Sequence, residues 1–262
     1  LFALCPSVFI RERRRSCGSQ INTDRRGYIL SRMRSFVDRR TFLATAGGAA
    51  LLIPAPVQAE DQGIYVTMRS SNGYWAEGAP PWNIEWQEFV AIAARAGYKG
   101  VDFVPYSYYA AMMKDGPDKV RARLSELNLK VGSLASPANP GAADGAAFKN
   151  SFQRMDEVCE FAAAIGCTSL AIPILSSSDT PKEEWRKVVL DRMHSMEPIL
   201  GRHKVRMAVE NLAPLQFRKR MKFEFLYTVP EIVALCKDAG PSFGLCLDAW
   251  HWHHSGGTVK DI

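Results

Sequence analysis

Val205-Arg206-Met207-Ala208-Val209-Glu210 reads as a strand with two unlike faces. Side chains alternate across a strand, so Val205, Met207 and Val209 form one apolar face, suited to packing under helices, while Ala208 and Glu210 share the other. Phe243-Gly244-Leu245-Cys246-Leu247-Asp248 repeats the pattern: Leu245 and Leu247 face helices, and Gly244, Cys246 and Asp248 share the inner face. Each strand keeps small residues on its inner side and closes on an acid at its C-terminal end.

Working outward, short apolar runs alternate with amphipathic stretches from Gly63 onward. Strands are expected to begin near Tyr65, Val101, Val131, Ser169, Val205 and Phe243. Helices are expected near Ile84–Ala96, Asp118–Leu127, Phe148–Ile165, Lys182–Leu200 and Val229–Lys237, with Thr180-Pro181 as cap and first-turn pair of the fourth. Such alternation predicts a parallel sheet covered by helices, either an open doubly wound sheet or a (β/α)₈ barrel. The strand starts recur about every 36 residues. Two more units, about 72 residues, would bring the region after Ala59 to the size of a barrel domain. The expected fold is therefore an α/β TIM barrel with about six of its eight βα units in this chain, so that two strands would follow Ile262 and the sheet would keep an open edge that invites aggregation. No Gly-x-Gly-x-x-Gly follows the first strand, which weakens the dinucleotide-binding alternative.

The 262 residues are 47% hydrophobic and 23% charged, which excludes a disordered chain, a collagen-like repeat and a disulfide-stapled miniprotein. The net charge of +6 belongs to the N-terminus: residues 1–40 hold ten Arg against three acids, leaving 23 basic and 24 acidic residues for the rest. A nucleic-acid-binding body would need a basic face, and the overall charge gives no sign of one, so no nucleic-acid partner is expected. The six Cys form no C-x-x-C pair, and Cys159, Cys167, Cys236 and Cys246 fall in apolar or strand-like stretches as expected buried thiols. Asp38-Arg39-Arg40-Thr41-Phe42-Leu43 sets paired arginines before a twelve-residue apolar run ending at Ile53, and Val57-Gln58-Ala59 offers a small-x-small cleavage pattern. That run is too short to span a bilayer, so no stable membrane insertion is expected. The segment resembles a twin-arginine export signal, which implies the twin-arginine machinery as a partner and a periplasmic or otherwise exported location. Residues 1–59 are thus expected to be an upstream segment and signal outside the fold, with Met33 as the start, and 60–262 the incomplete barrel domain.

His251 lies three residues after Asp248, close enough for a chain turning out of the strand to bring both to one mouth. Glu, Asp and His are suitable ligands for Mn²⁺, Mg²⁺ or Zn²⁺. A single strand-end carboxylate also serves as a helix cap or ion-pair partner; two such acids with a nearby His favour a site.

Val209-Glu210-Asn211 and Cys246-Leu247-Asp248-Ala249-Trp250-His251, with Ala96-Gly97-Tyr98-Lys99-Gly100-Val101-Asp102 entering the second strand, resemble the sugar phosphate isomerase/epimerase superfamily of xylose isomerase-like barrels. The resemblance covers roughly Gly63–Ile262. It implies Glu210 as a metal ligand that doubles as acid/base, Asp248 as a second ligand, and His251 as a substrate contact, or a second-metal ligand as in the endonuclease branch. It also implies a His on a seventh strand and a Glu on an eighth, which have no counterpart here. The activity implied is isomerisation or epimerisation of a sugar or polyol by proton transfer next to a carbonyl, with a keto-polyol lyase as a close variant. Two alternatives stand beside it. One is a carbohydrate-binding barrel without catalysis. The other is an endonuclease IV-like DNA-repair phosphodiesterase, which needs extra His ligands that Asp102-Phe103-Val104 and Ser133-Leu134-Ala135 do not supply.

Trp75, Trp82 and Tyr106 fall near expected mouth loops and are candidate sugar-stacking residues, with core packing the alternative. Phe217-Arg218-Lys219-Arg220-Met221-Lys222-Phe223 is a basic, aromatic-interleaved stretch, read as a solvated loop or a contact for an anionic group. His253 and His254 are expected in an exposed loop, and His194 and His203 on a helix and its end without a role.

Overall fold

The six expected strands pair in sequence order to make one parallel sheet. The computed structural model describes residues 65–67, 84–103 and 109–258. Its main sheet runs β1 (Tyr65–Thr67), β2 (Gly100–Phe103), β3 (Lys130–Ala135), β4 (Ser169–Ile174), β6 (Arg206–Asn211) and β8 (Phe243–Cys246), every pair parallel. Two short strands, β5 (Ser177–Ser178) and β7 (Phe223–Glu224), form a separate antiparallel pair. Parallel neighbours need long crossovers, and helices supply them: α1 (Trp86–Arg95), α2 (Ala110–Asp115), α3 (Pro117–Glu126), α4 (Gly145–Phe152), α5 (Met155–Ala164), α6 (Lys182–His203), α7 (Leu215–Arg218), α8 (Val229–Ala239) and α9 (Ala249–His254). Among the described residues β1 and β8 are the sheet's two edges.

The core lies between the outer face of this sheet and the helices. Val101, Phe103, Leu170, Ile172, Ile174, Met207, Val209, Phe243 and Leu245 are all buried there. Phe89 of α1 meets Phe103 of β2 edge-on, with ring centroids 5.7 Å apart. On the other face, Tyr65 lies over Gly100 and Gly132, and β2 to β8 carry small or polar residues such as Asp102, Ser133, Ala171, Ala208, Glu210 and Gly244. Four of the six cysteines, Cys159, Cys167, Cys236 and Cys246, are buried free thiols, as their apolar surroundings predict.

Pro173 sits inside β4, where a proline ordinarily breaks a ladder. A strand residue sends its N–H and C=O to the same side, and Pro173's carbonyl accepts from Asn139 Nδ2 at 3.0 Å on the β3 side. The β3–β4 ladder has already ended at Ala135↔Ala171, so the missing N–H leaves no ladder bond unmade.

Three sequence expectations are corrected. The single helix over 148–165 is two, α4 and α5, separated by a turn at Gln153-Arg154. Ser151 Oγ donates to the Phe148 carbonyl at 2.9 Å, and Arg154 N–H closes a tight turn on Ser151. Such local bonds compete with the i→i+4 ladder. Thr180 does not cap α6: Pro181 is the N-cap and no side chain caps the helix. His253 and His254 are exposed, but on α9 rather than in a loop. By contrast α8 starts on a full capping box. Thr228 accepts from the Glu231 N–H, and Glu231 accepts back from Thr228 N–H, an arrangement that contributes about 1 kcal/mol.

No helix among the described residues is long and apolar enough to cross a membrane. The expected signal, the domain boundary at residue 59, Trp75, Trp82 and Tyr106 lie outside the described residues.

Candidate metal centre at the strand ends

Glu210 is the fifth residue of β6 and lies opposite Cys246, the last residue of β8. The inner-face alternation continues past Cys246 to Asp248, where the chain turns into α9. Asp248 is the N-cap of that helix, and its Oδ1 accepts from Trp250 N–H at 2.6 Å and His251 N–H at 3.4 Å. The three-residue spacing now has a physical cause: a cap acid bonds the third backbone N–H of the helix it starts, so the two residues share the first turn. The cap role weighed for a strand-end acid is therefore real. It occupies one carboxylate oxygen, and a carboxylate has two.

One possible ligand atom from each of Glu210, Asp248 and His251 lies within 4.8 Å of the other two. Asp248 and His251 are buried and Glu210 half-buried. His251 Nδ1 is buried with no hydrogen-bond partner. A buried ring nitrogen left unpaired costs on the order of 1–3 kcal/mol, and two carboxylates lie within ligand range of the ring. Burial pushes the His251 imidazole below its ordinary range, and His254 adds to the depression against the opposing pull of Asp248. Burial thus favours the neutral ring, the form that binds metals. An orphaned nitrogen, two carboxylates and a half-open position fit a divalent cation.

The residues that sequence reasoning placed at the site therefore divide. Glu210, Asp248 and His251 come together. Trp75 and Tyr106 are not among the described residues. In the basic stretch, Arg218 pairs with Glu224 at 2.8 Å and lies over the Tyr227 ring, 3.7 Å from its centroid, so its charge is engaged internally.

Two features went unassigned in the sequence. Phe217 packs edge-on against His251, with ring centroids 6.2 Å apart and planes at 72°. Asp102 of β2 is a buried acid on the inner face, 6% exposed. The β2–β3 register slips between Val101 and Asp102, so Ser133 stands opposite Asp102 and Gly132 is the extra residue of the slip. Ser133 Oγ donates to Asp102 Oδ1 at 3.1 Å. Gly132 makes the room, since a Cβ there would stand 2.6 Å from that same oxygen. Burial pushes the Asp102 carboxyl up to about 6, against the lowering pull of the Ser133 bonds. By register Asp102 lies level with Arg206, four residues before Glu210 and roughly 13 Å from it along the strand.

The family model for the xylose isomerase-like TIM barrel matches residues 90–261. No curated protein matches the chain. Among solved structures, a xylose isomerase domain protein from Alicyclobacillus acidocaldarius superposes with a TM-score of 0.62 at 17% identity, over 74% of this chain and 65% of that one. The IolI protein with a bound zinc atom superposes with a TM-score of 0.58 at 16% identity, over 68% of this chain and 63% of the other. D-psicose 3-epimerase with D-tagatose, from Clostridium cellulolyticum H10, gives 0.51 at 12% identity, over 66% and 61%. The chain thus spans less than two thirds of the length of each of these structures, and at these identities the likeness is one of fold.

Proposed function

The chain belongs to the xylose isomerase-like TIM barrel family, and from that premise we propose that it is a metal-dependent isomerase or epimerase of a sugar or polyol. The observation that carries the reading is the convergence of Glu210, Asp248 and His251 where β6 and β8 end, with His251 Nδ1 buried and unpaired. Active sites of such barrels lie at the C-terminal ends of the strands.

In this reading Asp248 and His251 hold the ion, with Glu210 as a third ligand. A bound divalent cation supplies Lewis-acid stabilisation of negative charge on the substrate's carbonyl and hydroxyl oxygens. Glu210 takes the proton from the carbon next to the carbonyl onto a carboxylate oxygen and returns it. Asp248 fixes the start of α9 and with it the position of His251. The neutral His251 ring adds no positive charge that would compete with the ion. The zinc of the IolI structure and the sugar of the psicose epimerase structure, both on the same fold, support the metal and the substrate class.

The test is solvent exchange. The full chain, incubated in D₂O with Mn²⁺ and a panel of ketoses, aldoses and inososes, is expected to place deuterium on carbon next to the carbonyl, as read by proton NMR. Glu210→Gln should slow this by on the order of 100-fold or more. Binding of a sugar with no exchange under any metal would point to a carbohydrate-binding barrel instead.

The proposal includes export by the twin-arginine route, motivated by Arg39-Arg40 and the apolar run after them. A reporter that fluoresces only after folding, fused behind residues 33–59, should reach the periplasm. Arg39→Lys with Arg40→Lys should hold it in the cytoplasm; transport unaffected by that pair of changes would sink this part.

A further inference from the structure

We propose that Phe217 is a positioning residue for His251, held in place by a strap that runs from Asn211 to Tyr227; the proposal rests on the reading of His251 as part of the metal centre.

The His251 ring lacks the usual means of orientation. A metal-binding histidine ordinarily donates its second ring N–H to a carbonyl or carboxylate, which fixes the ring's rotation. Among the described residues His251 Nδ1 has no hydrogen-bond partner; the backbone of His251 is held by its N–H on Asp248 and by its carbonyl, which accepts from Ser255 N–H at 3.0 Å. The edge-on contact with Phe217 is what remains to set the ring plane. Aromatic pairs prefer that geometry, because the positive ring edge meets the negative ring face.

Phe217 in turn is tied down from several sides. Ser177 Oγ donates to its carbonyl at 2.7 Å, and Ser177 is 2% exposed. The strap is sewn to the strand ends at both of its ends. Ser176 Oγ donates to the Leu212 carbonyl, and Ser176's own carbonyl accepts from Phe225 N–H at 2.8 Å. Asn211, the neighbour of Glu210, donates from Nδ2 to the Tyr227 carbonyl at 2.7 Å. Ser177 pairs with Glu224 across β5–β7, and Arg218 bridges Glu224 and the Tyr227 ring from inside the strap. A segment with no long element of its own is thereby fixed, and it presents an aromatic ring to the site.

The experiment compares wild type with Phe217→Leu, Phe217→Tyr and Arg220→Gln in the full chain, each checked for an unchanged thermal midpoint. Arg220 lies on the same strap, is exposed, and serves as the control. The first readout is the His251 ring proton resonance in the presence of EDTA, assigned by its loss in His251→Gln. The second is Co²⁺ affinity from visible absorbance. Phe217→Leu keeps apolar bulk but removes the ring; it is expected to move and broaden the His251 resonance and to weaken Co²⁺ binding about 10-fold. Phe217→Tyr should retain both properties, and Arg220→Gln should change neither. A sharp, unmoved His251 resonance in Phe217→Leu, or a Tyr variant as impaired as the Leu variant, would overturn the proposal. If wild type takes up no Co²⁺, the metal reading fails by itself, and the metal-free resonance still decides whether Phe217 positions His251.

Discussion

Replacing Asp248 with Asn is expected to leave the thermal midpoint within about 2 °C of wild type while weakening divalent-metal binding by about 100-fold or more. The two outcomes separate because the proposed site gives Asp248 two roles. As the N-cap of α9 it offers Oδ1 to the backbone N–H groups of Trp250 and His251. Asn is as good an N-cap as Asp, because the cap needs an acceptor oxygen and not a charge. The metal needs the charge: an amide oxygen beside the neutral His251 leaves Glu210 as the only anion of the three. Asp248→Ala removes both functions. It should add a loss of about 1 kcal/mol of helix-start stability, or roughly 3 °C in a domain of this size. Calorimetric titration with Mn²⁺ or Zn²⁺ and thermal unfolding on the same three proteins check both arms. Equal metal affinity in wild type and Asp248→Asn would remove Asp248 from the ligand set and leave it as a cap alone.

The sheet was legible because its signal is carried by alternation. Each strand buries one face against helices, so Met207, Val209 and Leu245 had to be apolar, and the opposite face had to stay small where strands crowd. Glu210 and Asp248 stood out for the same reason: an acid breaks an otherwise apolar or small pattern at a strand's end. What was not legible depends on contacts distant in sequence. Phe217 reads as one aromatic in a basic loop; its partner His251 lies 34 residues later, and the bond that fixes it comes from Ser177, 40 residues earlier. The break between α4 and α5 has a local cause in Ser151, but the apolar spacing of Phe152, Met155 and Val158 runs across the turn as if the helix continued. β5 and β7 are two residues each, too short for any period to show, and they exist because the loops after β4 and β6 meet. Asp102 carries a local signal: it is an acid between Val101 and Phe103, both fully buried, and so on the inner face of a strand.

That acid leads to the second large effect. Asp102→Asn is expected to stabilise the chain at pH 7.5 by up to about 3 kcal/mol and to leave it nearly unchanged at pH 4. The folded carboxyl ionises near pH 6 because burial disfavours its charge, whereas in the unfolded chain it ionises near the ordinary value for Asp, about 3.9. Between those two values the folded state binds more protons than the unfolded one. Stability from this group is therefore fully present below about pH 4, falls as pH rises through the window, and stays low above about pH 6. Asn cannot ionise, keeps an oxygen for the Ser133 hydroxyl, and fits the space that Gly132 leaves. Its stability should lack this fall. Ser133→Ala should act in the opposite sense, since it removes the hydroxyl that favours the charged form and pushes the Asp102 carboxyl still higher. Tyr65 and Cys167 are the other titratable groups beside Asp102. A phenol and a thiol carry no positive charge, and burial raises both, which keeps them neutral. Urea unfolding of wild type, Asp102→Asn and Ser133→Ala from pH 4 to 8 is the measurement. Parallel curves for wild type and Asp102→Asn would show that the inner face solvates this carboxylate in the folded chain, and that the register slip at Gly132-Ser133 serves packing rather than the accommodation of a buried acid.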